Sequence, residues 1–220
     1  MPVYKKINRD FFKVLTTQVA YVLGFFAADG GLTKTNRGTY FITFNSADRG
    51  LIEVVKKAMG SEHKISKRIS DNGVWYRLQI GSKEMFHDIL KIGLGPNKAK
   101  RMRIPKIPKS VLRDFVRGYF DGDGNVWHGL AHKNSLMPNR VLQVAFTSAS
   151  QAFLHDLHSK LRVGGIIGGS IVKVKDKNCH RLQLSTSDAL KLYEIMYNVP
   201  HRLYLKRKRL VFEKFIKMRA

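Results

Sequence analysis

The hydrophobic and polar positions of the first half of the chain change their spacing several times. Residues 19–28 are apolar on nearly all sides, which predicts a helix buried from two directions. Residues 39–45 alternate with a period of two and predict a strand, whereas residues 48–59 have helical spacing behind an N-cap type aspartate. Two further alternating stretches precede a closing helix at residues 83–92. The predicted order is helix, two strands, helix, two strands, helix.

The same order recurs in the second half of the chain, which indicates an internal repeat. A strand, a helix and a closing helix are predicted there at residues 142–147, 150–161 and 187–197. Three blocks match between the copies at offsets of 94, 102 and 104 residues, namely Tyr21–Gly30 with Phe115–Gly124, Ile42–Asp48 with Val144–Ser150, and Arg77–Glu84 with Arg181–Asp188. The offset grows along the chain, so the second copy is the longer one.

The segment between the two copies has the composition of a linker. Three of the chain's six prolines lie there, and proline prevents helix continuation and stiffens the backbone. We therefore predict half-domains at residues 1–93 and 110–220, joined by a semi-extended linker at residues 94–109.

Net charge is the unusual feature of the composition. The 40 lysines and arginines outnumber the 16 acidic residues, which leaves a charge of +24 spread along the chain. Such a charge predicts a polyanionic partner, and nucleic acid is favoured because cations that neutralise phosphates provide affinity for any sequence. An anionic membrane surface is the alternative, but no isolated basic amphipathic helix or lipidation signal supports it.

The number of cysteines and the length of the apolar segments indicate the cellular compartment in which the protein is expected. The single cysteine, Cys179, forms no internal disulfide, and the longest apolar run is half the length that crosses a bilayer. We expect no membrane association and a reducing intracellular compartment, either a bacterial or archaeal cytoplasm or an organelle.

Each copy's first helix ends in an aspartate followed by a glycine, as Asp29-Gly30 and Asp123-Gly124. The glycines are expected to take the left-handed conformation of a helix C-terminus. A carboxylate at that end is unfavourable, because the helix dipole and the last carbonyls are already negative. Its repetition in a protein with 16 acidic residues suggests a cation, and two carboxylates beside backbone carbonyls form an oxygen site that suits Mg²⁺.

The segments Val22–Gly30 and Val116–Gly124 resemble the two motifs of single-chain homing endonucleases of the LAGLIDADG family. The resemblance covers the whole chain, because the family's half-domain has the same order of elements. Two departures occur. Ala27 stands in place of the motif's first acid, and Leu23 and Arg117 occupy its small second position.

This resemblance implies an α+β fold of two pseudo-symmetric αββαββα half-domains, packed through the motif helices with Gly24 and Gly118 at the contact. The antiparallel sheets would form a DNA-binding saddle. The implied metal ligands are Asp29, Asp123 and the backbone oxygens of Ala28 and Gly122. Lys100 and Lys206, which follow the closing helices, are candidates to assist catalysis or to contact phosphates.

The implied activity is a Mg²⁺-dependent break of both strands of a long, asymmetric DNA target, made by a monomer and leaving 3′ overhangs. Mn²⁺ or Ca²⁺ is expected to substitute in binding. The alternatives are a maturase that binds RNA and a regulator that binds DNA without cutting it. Loss of a motif acid would favour either of them, and both acids are present. An enzyme that also serves as a maturase stays open, whereas a cationic structural protein does not explain the repeated aspartate.

Strand parity predicts which face of the sheets contacts DNA. The side chains expected to point to the core are Leu78, Ile80, Val172, Val174, Leu182 and Leu184. The opposite face suits major-groove readout, in which arginine bonds guanine and glutamine bonds adenine. Its residues are Thr43, Asn45, Trp75, Arg77, Gln79, Lys173, Lys175, Arg181 and Gln183. The alternative for any single residue of this set is that it is exposed to solvent and does not contact DNA.

Overall fold

A computed structural model describes residues 5–71, 73–131, 139–198, 200 and 203–219. The first copy of the repeat comprises α1 (Thr17–Asp29), β1 (Gly30–Lys34), β2 (Tyr40–Ser46), α2 (Arg49–Ala58), β3 (Ile65–Ser70), β4 (Gly73–Gly81) and α3 (Lys83–Ile92). The second comprises α4 (Lys109–Asp123), β5 (Gly124–Ala131), β6 (Asn139–Ser148), α5 (Gln151–Val163), β7 (Ser170–Lys173), β8 (His180–Leu184) and α6 (Thr186–Tyr197). This is the predicted order, and one helix that was not predicted, α7 (Lys206–Lys217), follows it.

Each copy contains one four-stranded antiparallel sheet, so the predicted α+β class with two repeated halves is confirmed. The strand orders are β1-β2-β4-β3 and β5-β6-β8-β7. Buried residues face one another across the central strands, as Ile42 does with Ile80 and Val144 with Leu184. Side chains alternate across a strand, so the neighbours of these residues lie on the opposite face of each sheet.

The helices behind the sheets begin at the residues that the sequence indicates. The carboxylate of Asp48 accepts a hydrogen bond from the Leu51 amide, and the hydroxyl of Ser150 accepts one from the Phe153 amide. Each bond satisfies one of the amides that the first turn of a helix leaves without a partner.

The glycines after the two motif helices do not take the left-handed conformation, so that expectation is wrong. Gly30 has φ −95° and ψ 161°, and Gly124 is likewise not among the glycines with positive φ. Both are the first residues of strands, because the chain passes directly from the helix into β1 or β5. A small residue is still required at position 30, because an added Cβ would overlap the Phe26 ring.

The chain divides into two compact units, whose described residues lie within Met1–Lys98 with Pro105–Gly122 and within Ala99–Ile104 with Asp123–Ala220. The first unit contains almost all of α4 as well as α1. These two helices touch through their backbones. An added Cβ at Gly24 would overlap the Phe115 carbonyl oxygen, and one at Gly118 would overlap the Tyr21 carbonyl oxygen. The two glycines therefore lie at the contact.

The second unit holds part of the linker against α5. Arg103 donates two hydrogen bonds of 2.6 and 2.7 Å to the carboxylate of Asp156, and the Ile104 amide donates a third. The bonds from the Arg103 guanidinium hold the pKa of the Asp156 carboxyl below its usual value. The Ser150 hydroxyl also donates to the Met102 carbonyl at 2.6 Å. The linker is therefore ordered by polar contacts.

We expect Gly24→Ala and Gly118→Ala each to lower the free energy of unfolding by at least about 2 kcal/mol, because the new methyl group meets backbone and not a movable side chain. Urea denaturation measures the loss. Gly81→Ala is the control, since its Cβ would lie 3.7 Å from the nearest atom, at ordinary contact distance, and should cost less than about 1 kcal/mol. Equal stability of all three variants would contradict the close backbone contact.

Candidate functional site

Each motif helix ends in a half-buried carboxylate. Asp29 is the last residue of α1, and Asp123 is the last residue of α4. Gly122, which precedes Asp123, lies close to the end of α1. An added Cβ there would overlap the Ala28 methyl group and lie 3.4 Å from Oδ2 of Asp29. The absence of a side chain at position 122 therefore leaves room beside the Asp29 carboxylate.

A lysine binds the backbone next to each of these aspartates. Nζ of Lys98 donates to the carbonyl oxygen of Gly30, and Nζ of Lys208 donates to that of Gly124 at 2.6 Å. Lys98 is half-buried, and Lys208 is only 5% exposed. A positive charge held at this point offsets the negative helix end and its carboxylate. The arrangement occurs once in each unit.

These are not the lysines that the sequence suggested. Lys100 and Lys206 are exposed, and each lies two residues from the lysine that contacts the carbonyl. Lys208 is placed by the first turn of α7, which the sequence analysis did not predict. The sequence did contain a signal for this pair. The offset between the two copies grows along the chain, and at an offset of 110 residues Lys98 corresponds to Lys208.

Asp121, whose counterpart in the first copy is Ala27, is buried between the two motif helices. Asp121 is 1% exposed, and the Tyr21 hydroxyl donates a 2.7 Å hydrogen bond to its Oδ2. Tyr21 belongs to α1, so the bond joins the two motif helices.

Arg117, which replaces a small residue of the motif, is accommodated by a buried ion pair. Its terminal amine lies 2.6 Å from Oδ1 of Asp114, and the two side chains are 2% and 4% exposed. Its guanidinium also lies 5.7 Å from the centre of the Tyr21 ring. The charge is therefore compensated within the first unit.

The open face of the first sheet carries a chain of polar contacts that begins at the end of α1. Asn45 donates a 3.4 Å hydrogen bond to the Asp29 carbonyl, and Thr43 donates one of 3.2 Å to the Gly31 carbonyl. Arg77 donates to Asn45 at 3.0 Å. Gln79 is exposed on the same face. Side chains of this face thus reach the last residue of α1 and the start of β1.

The corresponding face of the second sheet has a recess of about 530 Å³. Arg181 and Gln183 line it and are exposed, as parity predicts. Sequence reasoning missed the other polar and aromatic residues of the lining, which include Asn125, Trp127 and Gln143. Trp127 is 47% exposed, and its ring lies over Gly129, where a Cβ would overlap it. Extending the parity argument to β5 and along β6 would have identified these residues.

The parity prediction for β7 is wrong. Val172 pairs with Arg181 and is 39% exposed, so it shares the open face that was assigned to Lys173. Lys173 pairs with His180, on the side of Leu182. Lys175 lies in the turn after the strand. The strand is four residues long and starts at Ser170. Its two apolar residues are adjacent and therefore point to opposite faces, so the sequence does not show which face is buried.

The described residues contain neither a side-chain metal cluster nor a membrane-spanning helix. That part of the chain has no cluster of three or more His, Cys, Asp or Glu side chains able to hold a metal ion. No helix within it is long and apolar enough to cross a membrane.

Comparison with known families identifies the repeated unit. The family model described as LAGLIDADG-like domain matches residues 16–92 and again residues 110–196, so it covers both copies. The chain belongs to the LAGLIDADG family. The two matches begin just before α1 and at the start of α4, and α7 lies beyond the second LAGLIDADG match.

The curated relatives are much longer than this chain. The replication factor C small subunit of Methanocaldococcus jannaschii is 30% identical over 185 residues, which cover 80% of this chain and 9% of that protein. The chain therefore spans about a tenth of that relative, and the likeness concerns one segment of it.

Solved structures of the LAGLIDADG family have the same fold. Meganuclease I-SmaMI bound to uncleavable DNA superposes with a TM-score of 0.64 at 17% identity, covering 93% of this chain and 88% of that chain. A mesophilic variant of homing endonuclease I-DmoI gives a TM-score of 0.59 at 18% identity, covering 84% of this chain and 98% of that one. At these identities, the comparison establishes the fold.

We expect Asp114→Ala to lower the free energy of unfolding by about 3 kcal/mol, because it removes the carboxylate that compensates buried Arg117. The double variant Asp114→Leu with Arg117→Leu should recover most of this loss, since apolar residues replace both charges. Urea denaturation of the three proteins measures both effects. A double variant no more stable than the single one would contradict the assigned pair.

Proposed function

We propose that this chain is a site-specific DNA endonuclease that breaks both strands of its target in a metal-dependent reaction. One observation carries the proposal. Each of the two motif helices ends in an aspartate, and a lysine binds the carbonyl of the following glycine in both cases. Carboxylates and carbonyl oxygens are ligands for a divalent cation, and a nearby ammonium group stabilises negative charge on a phosphate.

The residues proposed to hold the metal are Asp29, Asp123 and the backbone oxygens of Ala28 and Gly122. This set fits a hard cation such as Mg²⁺, because all its donors are oxygens. The space that Gly122 leaves beside Asp29 supports the fit. Another I-DmoI structure, with nicked target DNA, was determined in the presence of Mn. Bound divalent cations supply charge neutralisation at the phosphate and a water of lowered pKa.

The contribution of the chain's own groups follows from their placement. Asp29 and Asp123 are held at fixed helix ends, so a carboxylate is positioned before substrate arrives. Lys98 and Lys208 keep a positive charge beside the same helix ends, where it favours the extra negative charge that a phosphodiester gains during hydrolysis. One such group in each half suits one cut in each strand, and we propose that a monomer cuts an asymmetric target and leaves 3′ overhangs.

The partner proposed is double-stranded DNA. A net charge of +24 provides attraction to phosphates, and both sheets carry arginine and glutamine on the open face. Helices cover the other face, so the open faces are the surfaces available for base contacts. Two antiparallel strands can enter a major groove.

We expect Asp29→Asn and Asp123→Asn each to abolish double-strand cleavage and to leave DNA binding in place, because each variant removes a metal ligand without changing the fold. Plasmid cleavage in Mg²⁺ and fluorescence anisotropy with target DNA measure the two properties. Mg²⁺-dependent cutting at the wild-type rate by either variant would contradict the proposal. Binding without cutting by the wild-type protein would favour the regulator.

Lys98→Ala and Lys208→Ala are expected to slow cleavage by about 10–100-fold, since each removes a positive charge from one helix end. Each should slow the cut of one strand more than the other, so nicked plasmid should accumulate before linear product. Lys100→Ala and Lys206→Ala are the matched controls, because they remove the same charge from exposed positions two residues away. Equal slowing by all four variants would indicate a general loss of DNA attraction.

A further inference from the structure

The arginine on the open face of the first sheet is held in one orientation by two neighbours. Nε of Arg77 donates a 3.0 Å hydrogen bond to Oδ1 of Asn45, the residue directly opposite on β2. Its guanidinium lies 5.0 Å from the centre of the Trp75 ring. The side chain is half-buried. Rotamer freedom that a long side chain normally loses on binding is therefore already restricted in the free protein.

This arrangement leaves a particular part of Arg77 available. Because Asn45 accepts from Nε, the bond does not occupy the two terminal amines. Those amines have no hydrogen-bond partner among the residues that the structure describes. A pair of parallel N–H groups matches O6 and N7 of guanine in the major groove, and a fixed fork loses less entropy on binding.

The equivalent arginine of the second sheet differs. Arg181 occupies the matching register position but lies opposite Thr147, whose side chain has no amide group. Arg181 is exposed, and its side chain makes no hydrogen bond to any residue in the described part of the chain. The two halves thus present the same side chain with different degrees of preorganisation.

Asn45 also links Arg77 to the end of the motif helix. Its amide nitrogen donates to the Asp29 carbonyl at 3.4 Å while its oxygen accepts from Arg77. Asn45 can make both contacts only because its side chain has a donor and an acceptor. The arginine is therefore held beside Asp29, and not at the outer end of the sheet.

We propose that Asn45 and Trp75 are positioning residues that hold Arg77 to read one guanine in the half of the target contacted by the first sheet, close to the cut. This inference rests on the proposed DNA-binding function. It goes further because it assigns a guanine to one side chain. Bidentate pairing of arginine with guanine discriminates against other bases by about 5–150-fold.

The test measures base preference in binding, so it does not depend on cleavage. The full chain without added metal would be incubated with a randomised double-stranded DNA library, and the bound fraction sequenced. The variants are Arg77→Ala, Asn45→Ala and Asn45→Asp, with Thr147→Ala as the matched control from the second sheet. Circular dichroism would establish that each variant is folded.

We expect wild-type protein to prefer guanine about tenfold or more at one position, and Arg77→Ala to lose the preference there alone. Asn45→Ala should lower the same preference several-fold. Asn45→Asp should lower it as well, because a carboxylate can accept from Nε and from one terminal amine together, as Asp156 does from Arg103, and so occupies part of the fork. Thr147→Ala should leave that position unchanged.

Three results would overturn the inference. One is uniform loss of affinity over all sequences in Arg77→Ala, which would assign the side chain to a phosphate. Another is an unchanged guanine preference in Asn45→Ala, and the third is binding by wild-type protein without any base preference. Failure of wild-type protein to cut DNA would instead contradict the proposed endonuclease and leave these binding outcomes interpretable.

Discussion

The backbone contact between α1 and α4 is the constraint on which the other features depend. At Gly24 and Gly118 a carbonyl oxygen of the opposite helix occupies the place of a side chain. Helices cannot approach this closely with a Cβ at the contact, because packed backbones have no flexible group that can move aside. The contact fixes where both helices end, and hence where Gly122 lies with respect to Asp29.

Close approach also explains the polar groups buried beside it. Tyr21 donates to Asp121 across the helices, while Arg117 is paired with Asp114 one turn away on α4. A buried charge is tolerated when it is paired, and a buried pair contributes more to specificity of packing than to net stability in some proteins. We infer that the Tyr21–Asp121 bond adds to the glycine contacts in holding the register of the two helices.

The sequence predicted the elements and both motif helices, because hydrophobic period and repetition are recorded directly in the order of residues. It did not predict α7, whose first turn is Lys206-Arg-Lys-Arg209. Four cations at a helix N-terminus oppose the dipole. Burial of Phe212 and Phe215 offsets this, together with the Lys208–Gly124 bond and the Arg209–Glu213 ion pair. Lys208 was missed for the same reason, since its position follows from α7. The prediction of the exposed face was wrong at β7. That strand has only four residues, and its two apolar side chains are adjacent, so the alternation does not identify the buried face.

The repeated fold explains why two equivalent positions can diverge without loss of the site. Backbone register fixes Asn45 opposite Arg77 and Thr147 opposite Arg181, whatever the side chains are. Side chains on the open faces can therefore change in one half alone, whereas the glycines at the helix contact cannot. In a dimer of identical chains every such change would occur twice. A single chain with two copies removes that restriction, so the first sheet can carry a preorganised arginine while the second carries Trp127 above Gly129.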